Sequence, residues 1–218
     1  MDFNYINAHS YQFVDAGLLV IKLGFIGIIG ALLLGKIVAM SRYFKVPLLS
    51  QIGTIYTEIS RNTPLLILLF FLYYGFPKVG IMLSSEASAI IGLVFMGGGY
   101  MCESFMSGYR AVDKGQMEAG RSLGLNGFSV FRLITFPQSL KYCFASIGAN
   151  FIFILKETSV LSVVALLDIT NVAKDLIGMH YNTSEAMFML VVSYLIILVP
   201  IAIALALIEK FVISNGQD

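Results

Sequence analysis

The sequence predicts an all-α integral membrane protein with about five transmembrane helices. Three observations carry that expectation. Of the 218 residues, 58% are hydrophobic and only 12% are charged, whereas soluble domains are about 45–50% apolar and about 25% charged. The apolar residues gather in long runs, with most of the charge between them. One connection holds a polar, charged island with helix signals of its own. A span needs about 20 mostly apolar residues, so a bilayer takes up the excess better than any soluble core.

The runs cover about 16–41, 63–77, 87–106, 141–167 and 186–209. Met1-Asp2-Phe3-Asn4 lacks the basic start of a cleavable signal peptide, so the first run reads as a retained helix. The second is short and starts at Thr63-Pro64. Thr63 is expected to cap it and Pro64 to suit its first turn, where an N–H has no intrahelical partner. It is expected to extend back through Tyr56 at an angle. In the third, Gly97-Gly98-Gly99 permits a local break or close helix packing, and packing is the better reading. The fourth carries Lys156-Glu157, and the fifth has no charge from Ala186 to Ile208. Cys102 and Cys143 read as small buried hydrophobes. There is no internal repeat or linker, so 1–218 reads as a single membrane domain.

The connections orient the chain. Arg42, Lys45, Arg61, Arg110, Lys114, Arg121, Arg132, Lys141 and Lys210 fall on one side, against Lys78 and Lys174 on the other. The positive-inside rule then places the N-terminus outside and the C-terminus and island in the cytoplasm. Tyr43, Tyr74, Tyr109, Tyr142 and Tyr181 are expected at the membrane interfaces, in a chain without tryptophan.

The island, about 107–140, reads as helix, turn, helix. Asp113 can accept from free N–H groups at a helix start, and Gln116 completes a capping-box pattern. The helix is expected over about Lys114 to Leu123. Gly124 supplies the left-handed stop, and Leu125-Asn126-Gly127 the turn. A second short helix carries Phe128, Phe131 and Ile134, and Pro137 bars its simple continuation, so a bend is expected before the fourth span.

Residues Lys114 to Gly124, with Glu118-Ala119-Gly120-Arg121-Ser122-Leu123-Gly124 at their centre, then Phe131-Arg132 and Pro137-Gln138, resemble the cytoplasmic loop of the membrane subunits of ABC importers for polar amino acids. Arg61-Asn62-Thr63-Pro64-Leu65-Leu66 with Phe70 to Pro77, Tyr100 with Glu103, and Lys156-Glu157-Thr158-Ser159 are similar to the second, third and fourth spans of that family. The likeness covers roughly 16–210. It departs from the family pattern at Gly120, where alanine is usual, at Met106, where arginine is frequent, and at Ala149-Asn150, where Asn-Gln is frequent.

The resemblance implies a permease in a bacterial inner membrane. Its coupling loop would dock in a cleft of a separate ATPase through Glu118, Ala119, Gly120, Leu123 and Gly124. Glu118 would make a polar contact, Ala119 and Gly120 would allow close approach, and Gly124 would set the turn. ATP and magnesium would belong to that ATPase. The expected partners are two ATPase subunits, a second permease copy or paralogue, membrane lipid and an extracytoplasmic solute-binding protein. The last would dock on outer segments 78–86 and 168–185, which include Asp168, Asn171 and Asp175. A permease for another small solute, such as an opine or a sulfur amino acid, or an ATP-independent channel or carrier, is the alternative.

Lys156 lies 15 residues beyond Lys141, about 22 Å along a helix at 1.5 Å per residue. That is inside a hydrocarbon layer about 30 Å thick, where a charge must face a partner or a cavity. Two readings stay open: an ion pair to another helix, for instance with Glu103, or a ligand site for the amino and carboxylate groups of an amino acid. In the family this segment lies near the central cavity. Asn150, Lys156, Glu157, Thr158 and Ser159 are therefore the pathway candidates, with Lys156 in support. Glu103 alone suggests snorkelling or loop bracing, and Lys22 and Lys36 suggest snorkelling.

Gly30 to Ile37 nearly spells a phosphate-binding loop, but Ile37 stands where a magnesium-binding hydroxyl belongs and the context is an apolar helix. His9 and His180 lack metal-site spacing and read as surface residues of outer segments. No nucleophile elbow is present, and no basic stripe suggests nucleic acid.

Overall fold

The computed structural model describes residues 1–214, and among them the fold is helical throughout. The long elements are α1 (Phe3–Tyr43), α4 (Ser85–Ala111), α7 (Phe136–Glu157) and α9 (Thr183–Ser214). Between them lie α2 (Leu49–Asn62), α3 (Leu65–Phe70), α5 (Lys114–Ser122), α6 (Gly127–Val130) and α8 (Ile169–His180). Four helices or helix runs are long and apolar enough to cross a membrane, and α2 with the run Leu65–Val79 that opens on α3, bent by 103°, reaches the same length and apolarity as a fifth if the pair counts as one span.

The bend has a simple cause. A residue before proline is disfavoured in the helical region, and Thr63 is extended (φ −100°, ψ 119°). Contrary to the expected cap, the Thr63 hydroxyl donates back to the Ile59 carbonyl (2.8 Å) and finishes α2. Pro64 then precedes α3, and its carbonyl accepts from Ile67 and Leu68.

Pro137 is also handled differently from expectation. α6, capped by Asn126, passes through a wide π turn (Phe131–Thr135) straight into α7. Phe136 N–H bonds to Phe131 O, five residues back. A π turn widens the helix where a proline ring and a missing donor would otherwise clash or leave a gap. The same device precedes Pro77, where Phe76 N–H reaches Phe71 O. Residues 127–164 thus form one continuous run, ending in a 3₁₀ stretch over Thr158–Val164.

α1 starts at Phe3, well before the apolar run, because the Asp2 carboxylate accepts from the N–H groups of Asn4 and Tyr5. α8 was not expected. Its signals are the Asp168 cap, which accepts from Asn171 N–H (3.1 Å), and Ile169, Val172, Ala173 and Leu176 buried at helical spacing.

α4 is the central helix, packed by α1, α2 and α7. Apolar attraction alone does not bring helices together in lipid, and small residues that permit close approach do. A Cβ on Gly35 would sit 2.8 Å from both Gly98 O and Cys102 N of α4. One on Gly97 would meet Ile154 and Ala31, and one on Gly99 would collide with the Ser60 hydroxyl. The three adjacent glycines therefore serve packing. So does the near phosphate-binding loop, which lies entirely inside α1. Two thirds of the residues in the most apolar stretch of α4 are buried and none in that of α9 is fully so; α9 packs on the core through one side, including Tyr194, Ile197 and Leu198, and leaves the other side for lipid or a partner. Cys102 and Cys143 are free and buried.

Candidate functional site

Two features stand out from the apolar bundle: a capped hairpin at one end and a polar cleft along one face.

The hairpin is α5 with its turn. Asp113 caps α5, accepting from Gly115 N–H (2.6 Å), and Gln116 is exposed. The helix ends as expected. Gly124 has φ +82°, Leu125 N–H bonds to Gly120 O and Gly124 N–H to Arg121 O, which is the Schellman pattern. Glu118 and Ala119 face outward and Leu123 is 82% exposed, with Phe128 beside the turn at 57%. Gly120 points the other way. It is buried, and an added Cβ would lie 2.5 Å from Ile134 Cδ1. Its smallness lets α5 lie on the following helix rather than on an outside surface.

The hairpin is tied to the spans by an aromatic knot. Rings of Tyr43, Tyr109 and Phe131 pack with centroids 4.9 to 5.4 Å apart. The Tyr43 hydroxyl lies 3.6 Å from Met117 Sδ and 3.3 Å from Thr135 Oγ1. Aromatic pairs of this kind add about 0.5–1.5 kcal/mol each beyond area burial. Met117 of α5 thus touches the end of α1 at Tyr43, whose ring packs on Tyr109 of α4. Tyr109, expected at an interface, is 2% exposed and belongs to this knot.

The cleft runs between α4, α7 and the α2–α3 break. Its lower part, about 440 Å³, is lined by Arg61, Tyr100, Glu103, Ser104, Ser107, Arg110, Ser146 and Asn150. An adjoining space of about 300 Å³ shares Arg61 and Tyr100 and reaches Glu157 and Phe153. Asn150 donates to Ser104 Oγ (2.8 Å), which pairs with Ser146 Oγ (2.7 Å). Tyr100 donates to Arg61 O (3.2 Å), and the Arg61 guanidinium lies over its ring at 5.6 Å.

Of the pathway candidates, Asn150 and Glu157 line this cleft. Lys156 is exposed and absent from its lining, Ser159 is half-buried, and Thr158 is fully buried with its hydroxyl on Leu155 O (2.7 Å). Lys156 does not pair with Glu103, whose partner is Arg42. Arg61, counted from sequence among the loop charges, lies in the cleft because α2 begins at Leu49 and carries it inward. Lys22 pairs with Glu86 (2.9 Å) and Lys36 sits 4.5 Å over the Phe136 ring. The two histidine rings, on separate helices, come within 5.3 Å. No group of three metal-ligating side chains forms among the described residues.

Several apolar crossings, one of them broken, around a polar lateral cleft define a multi-pass membrane protein of the permease kind. Residues 27–214 match the family described as the binding-protein-dependent transport system inner membrane component. The chain belongs to that family, the permease subunits of ABC transporters, whose ATPase is a separate subunit. It is 36% identical over 188 residues to the probable glutamine ABC transporter permease GlnP of Bacillus subtilis, covering 84% of this chain and 85% of that one. It is 30% identical over 201 residues to the glutamate permease GluC of Corynebacterium efficiens, covering 86% and 88%. A solved amino acid ABC transporter with histidines superposes with a TM-score of 0.90 at 27% identity, over 96% of this chain and 98% of that one. The MetNI methionine transporter shares the fold, at a TM-score of 0.80 and 18% identity.

Proposed function

We propose that this chain forms half of the pathway by which an ATP-driven importer carries polar amino acids inward. The observation that carries this reading is the joint presence of Arg61 and Glu157 on one cleft. A zwitterionic amino acid needs a donor for its carboxylate and an acceptor for its ammonium. A guanidinium donates in a planar fork suited to carboxylate, and a carboxylate accepts from ammonium. Tyr100 and Asn150 add polar contacts of neutral charge. The glutamine and glutamate permeases among the relatives agree with that substrate class.

The cleft is open on one side, so a second permease copy or paralogue closes it. The α5 end faces the cytoplasm, where the ATPase grips Glu118, Ala119 and Leu123. ATP and magnesium bind that ATPase. The aromatic knot passes its motion to α1 and α4. A solute-binding protein delivers substrate at the opposite end, near α8 and Asp175.

The test is reconstitution of the chain with its ATPase and binding protein in liposomes, followed by uptake of labelled glutamine, glutamate, histidine and a non-amino-acid control. ATP-dependent uptake of an amino acid, lowered at least about tenfold by Glu157→Gln with ATPase assembly intact, is expected. Uptake without ATP, or an unchanged Glu157→Gln variant, contradicts the reading.

A further inference from the structure

Arg61 stands one residue before the end of α2, where that helix lies against α4. Gly99 makes the approach possible, since an added Cβ there would lie 3.3 Å from Arg61 Cγ and would strike the Ser60 hydroxyl. A helix end leaves the carbonyls of its last turn without intrahelical donors. In α2 the Ile59 carbonyl accepts from Thr63 (2.8 Å) and the Arg61 carbonyl from the Tyr100 hydroxyl (3.2 Å). Thr63 is close by in sequence, whereas Tyr100 reaches across from α4.

The same tyrosine meets the Arg61 side chain. The guanidinium lies over its ring at 5.6 Å, within cation–π range. Phe153 of α7 packs edge to face on that ring, with centroids 4.9 Å apart. A planar guanidinium resting on a ring still offers its in-plane N–H groups to an anion. Arg61 forms no ion pair among the described residues, and Tyr100 and Phe153 line the same space as Arg61 and Glu157.

We infer, on the reading that Arg61 receives the substrate carboxylate, that Tyr100 is a positioning residue for that recognition. Its hydroxyl fixes the end of α2 beside α4, and its ring limits the directions open to a long, otherwise exposed side chain. Tyr100 has one O–H proton and gives it to the Arg61 carbonyl, so toward a carboxylate it acts through Arg61. A fork already held in place lowers the ordering cost of binding. Loss of Tyr100 therefore weakens the hold on the carboxylate and spares the ammonium, which Glu157 serves.

The test is ligand binding to the permease assembled with its ATPase in detergent, without the solute-binding protein, read by titration calorimetry. The probes are L-glutamine and L-glutamate, each beside its α-amide, which keeps the ammonium and lacks the α-carboxylate charge. Tyr100→Ala is expected to weaken binding of the free amino acid about tenfold, the scale of a cation–π contact and a hydrogen bond lost together, and to leave the α-amide unchanged. Tyr100→Phe keeps the ring and its packing, so it answers even where the alanine variant fails to assemble. It should lose about threefold, the share of the hydrogen bond, again on the free amino acid alone. In an Arg61→Gln background Tyr100→Ala should cost nothing further. Equal weakening of amino acid and α-amide, as a merely structural role would give, overturns the inference. So does additivity with Arg61→Gln, or unchanged binding in Tyr100→Ala. Loss of the preference for the free carboxylate in Arg61→Gln but not in Tyr100→Ala refutes the role of Tyr100 alone. If Arg61→Gln keeps that preference, or no probe binds, the reading of Arg61 fails and the role of Tyr100 with it.

Discussion

Arg42 of α1 and Glu103 of α4 form an ion pair, their side chains only 12% and 28% exposed. The same guanidinium approaches Thr57 of α2 and Cys102 Sγ, each at 3.4 Å. One cation thus gathers three helices at the end that carries the hairpin. Glu103 alone suggested a braced or snorkelling carboxylate, and the structure supplies the brace.

Removing one partner leaves a half-buried charge without compensation. Glu103→Gln or Arg42→Gln should lower stability by about 1.5–3 kcal/mol, the range for hydrogen bonds to charged groups. The double variant should lose less than the sum of the two. A double-mutant cycle on chemical unfolding in detergent measures this, and strict additivity would show that the pair is uncoupled.

Gly124 holds the hairpin turn at φ +82° with nothing crowding its Cβ position. The penalty for a side chain is therefore conformational. Gly124→Val should reduce ATPase association and transport together. Gly124→Asn should keep both, because asparagine tolerates the left-handed region. Co-purification of the ATPase with each variant reads the outcome; a Gly124→Val complex with normal coupling would remove the hairpin's docking role.

Gly35 faces backbone on α4, which cannot swing away as a side chain tip can. Gly35→Ala should push α1 from α4 and destabilise by about 1–3 kcal/mol, the usual range for overpacking. Gly178→Ala on α8, with open space at its Cβ, should instead be neutral or gain up to about 1 kcal/mol of helix propensity. Paired melting curves separate the two; equal shifts would mean that helix propensity rather than packing sets the response.

Asp168 caps α8 from a site 1% exposed. Burial pushes its carboxyl above the usual range, against the bonds from Asn171 and Thr170 that pull it down. The folded chain therefore holds that proton more tightly than the unfolded chain. Its contribution to stability is full below the unfolded carboxylate value and is lost as pH rises through the folded one. Asp168→Asn keeps an oxygen acceptor and has no proton to lose, so its melting temperature should vary less with pH in that window. Parallel slopes for both proteins would contradict this.

The spans and the island were readable because their signals are local. An apolar run, an aspartate before a helix and a glycine after it act through neighbours in sequence. Gly124 and Asp113 behave as those rules require. Arg61, Gly120 and Pro137 depart from what local rules predict because their settings depend on distant contacts. Arg61 looks like a loop charge until the bend at Thr63 turns α2 into the bundle. Gly120 looks like a docking surface until Ile134 is seen against it, and a π turn absorbs Pro137. α8 does carry a local signal, the Asp168 cap followed by apolar residues at three- and four-residue spacing.

An importer permease must hold its hairpin in the cytoplasm, in the grip of an ATPase. A cysteine at Ala119, an exposed site on α5 in a chain whose two native cysteines are buried, reports this through a membrane-impermeant maleimide. Labelling should occur in inside-out vesicles, fail in right-side-out vesicles and fall when the ATPase is bound. Labelling from the outer side, or labelling unaffected by the ATPase, would contradict the account.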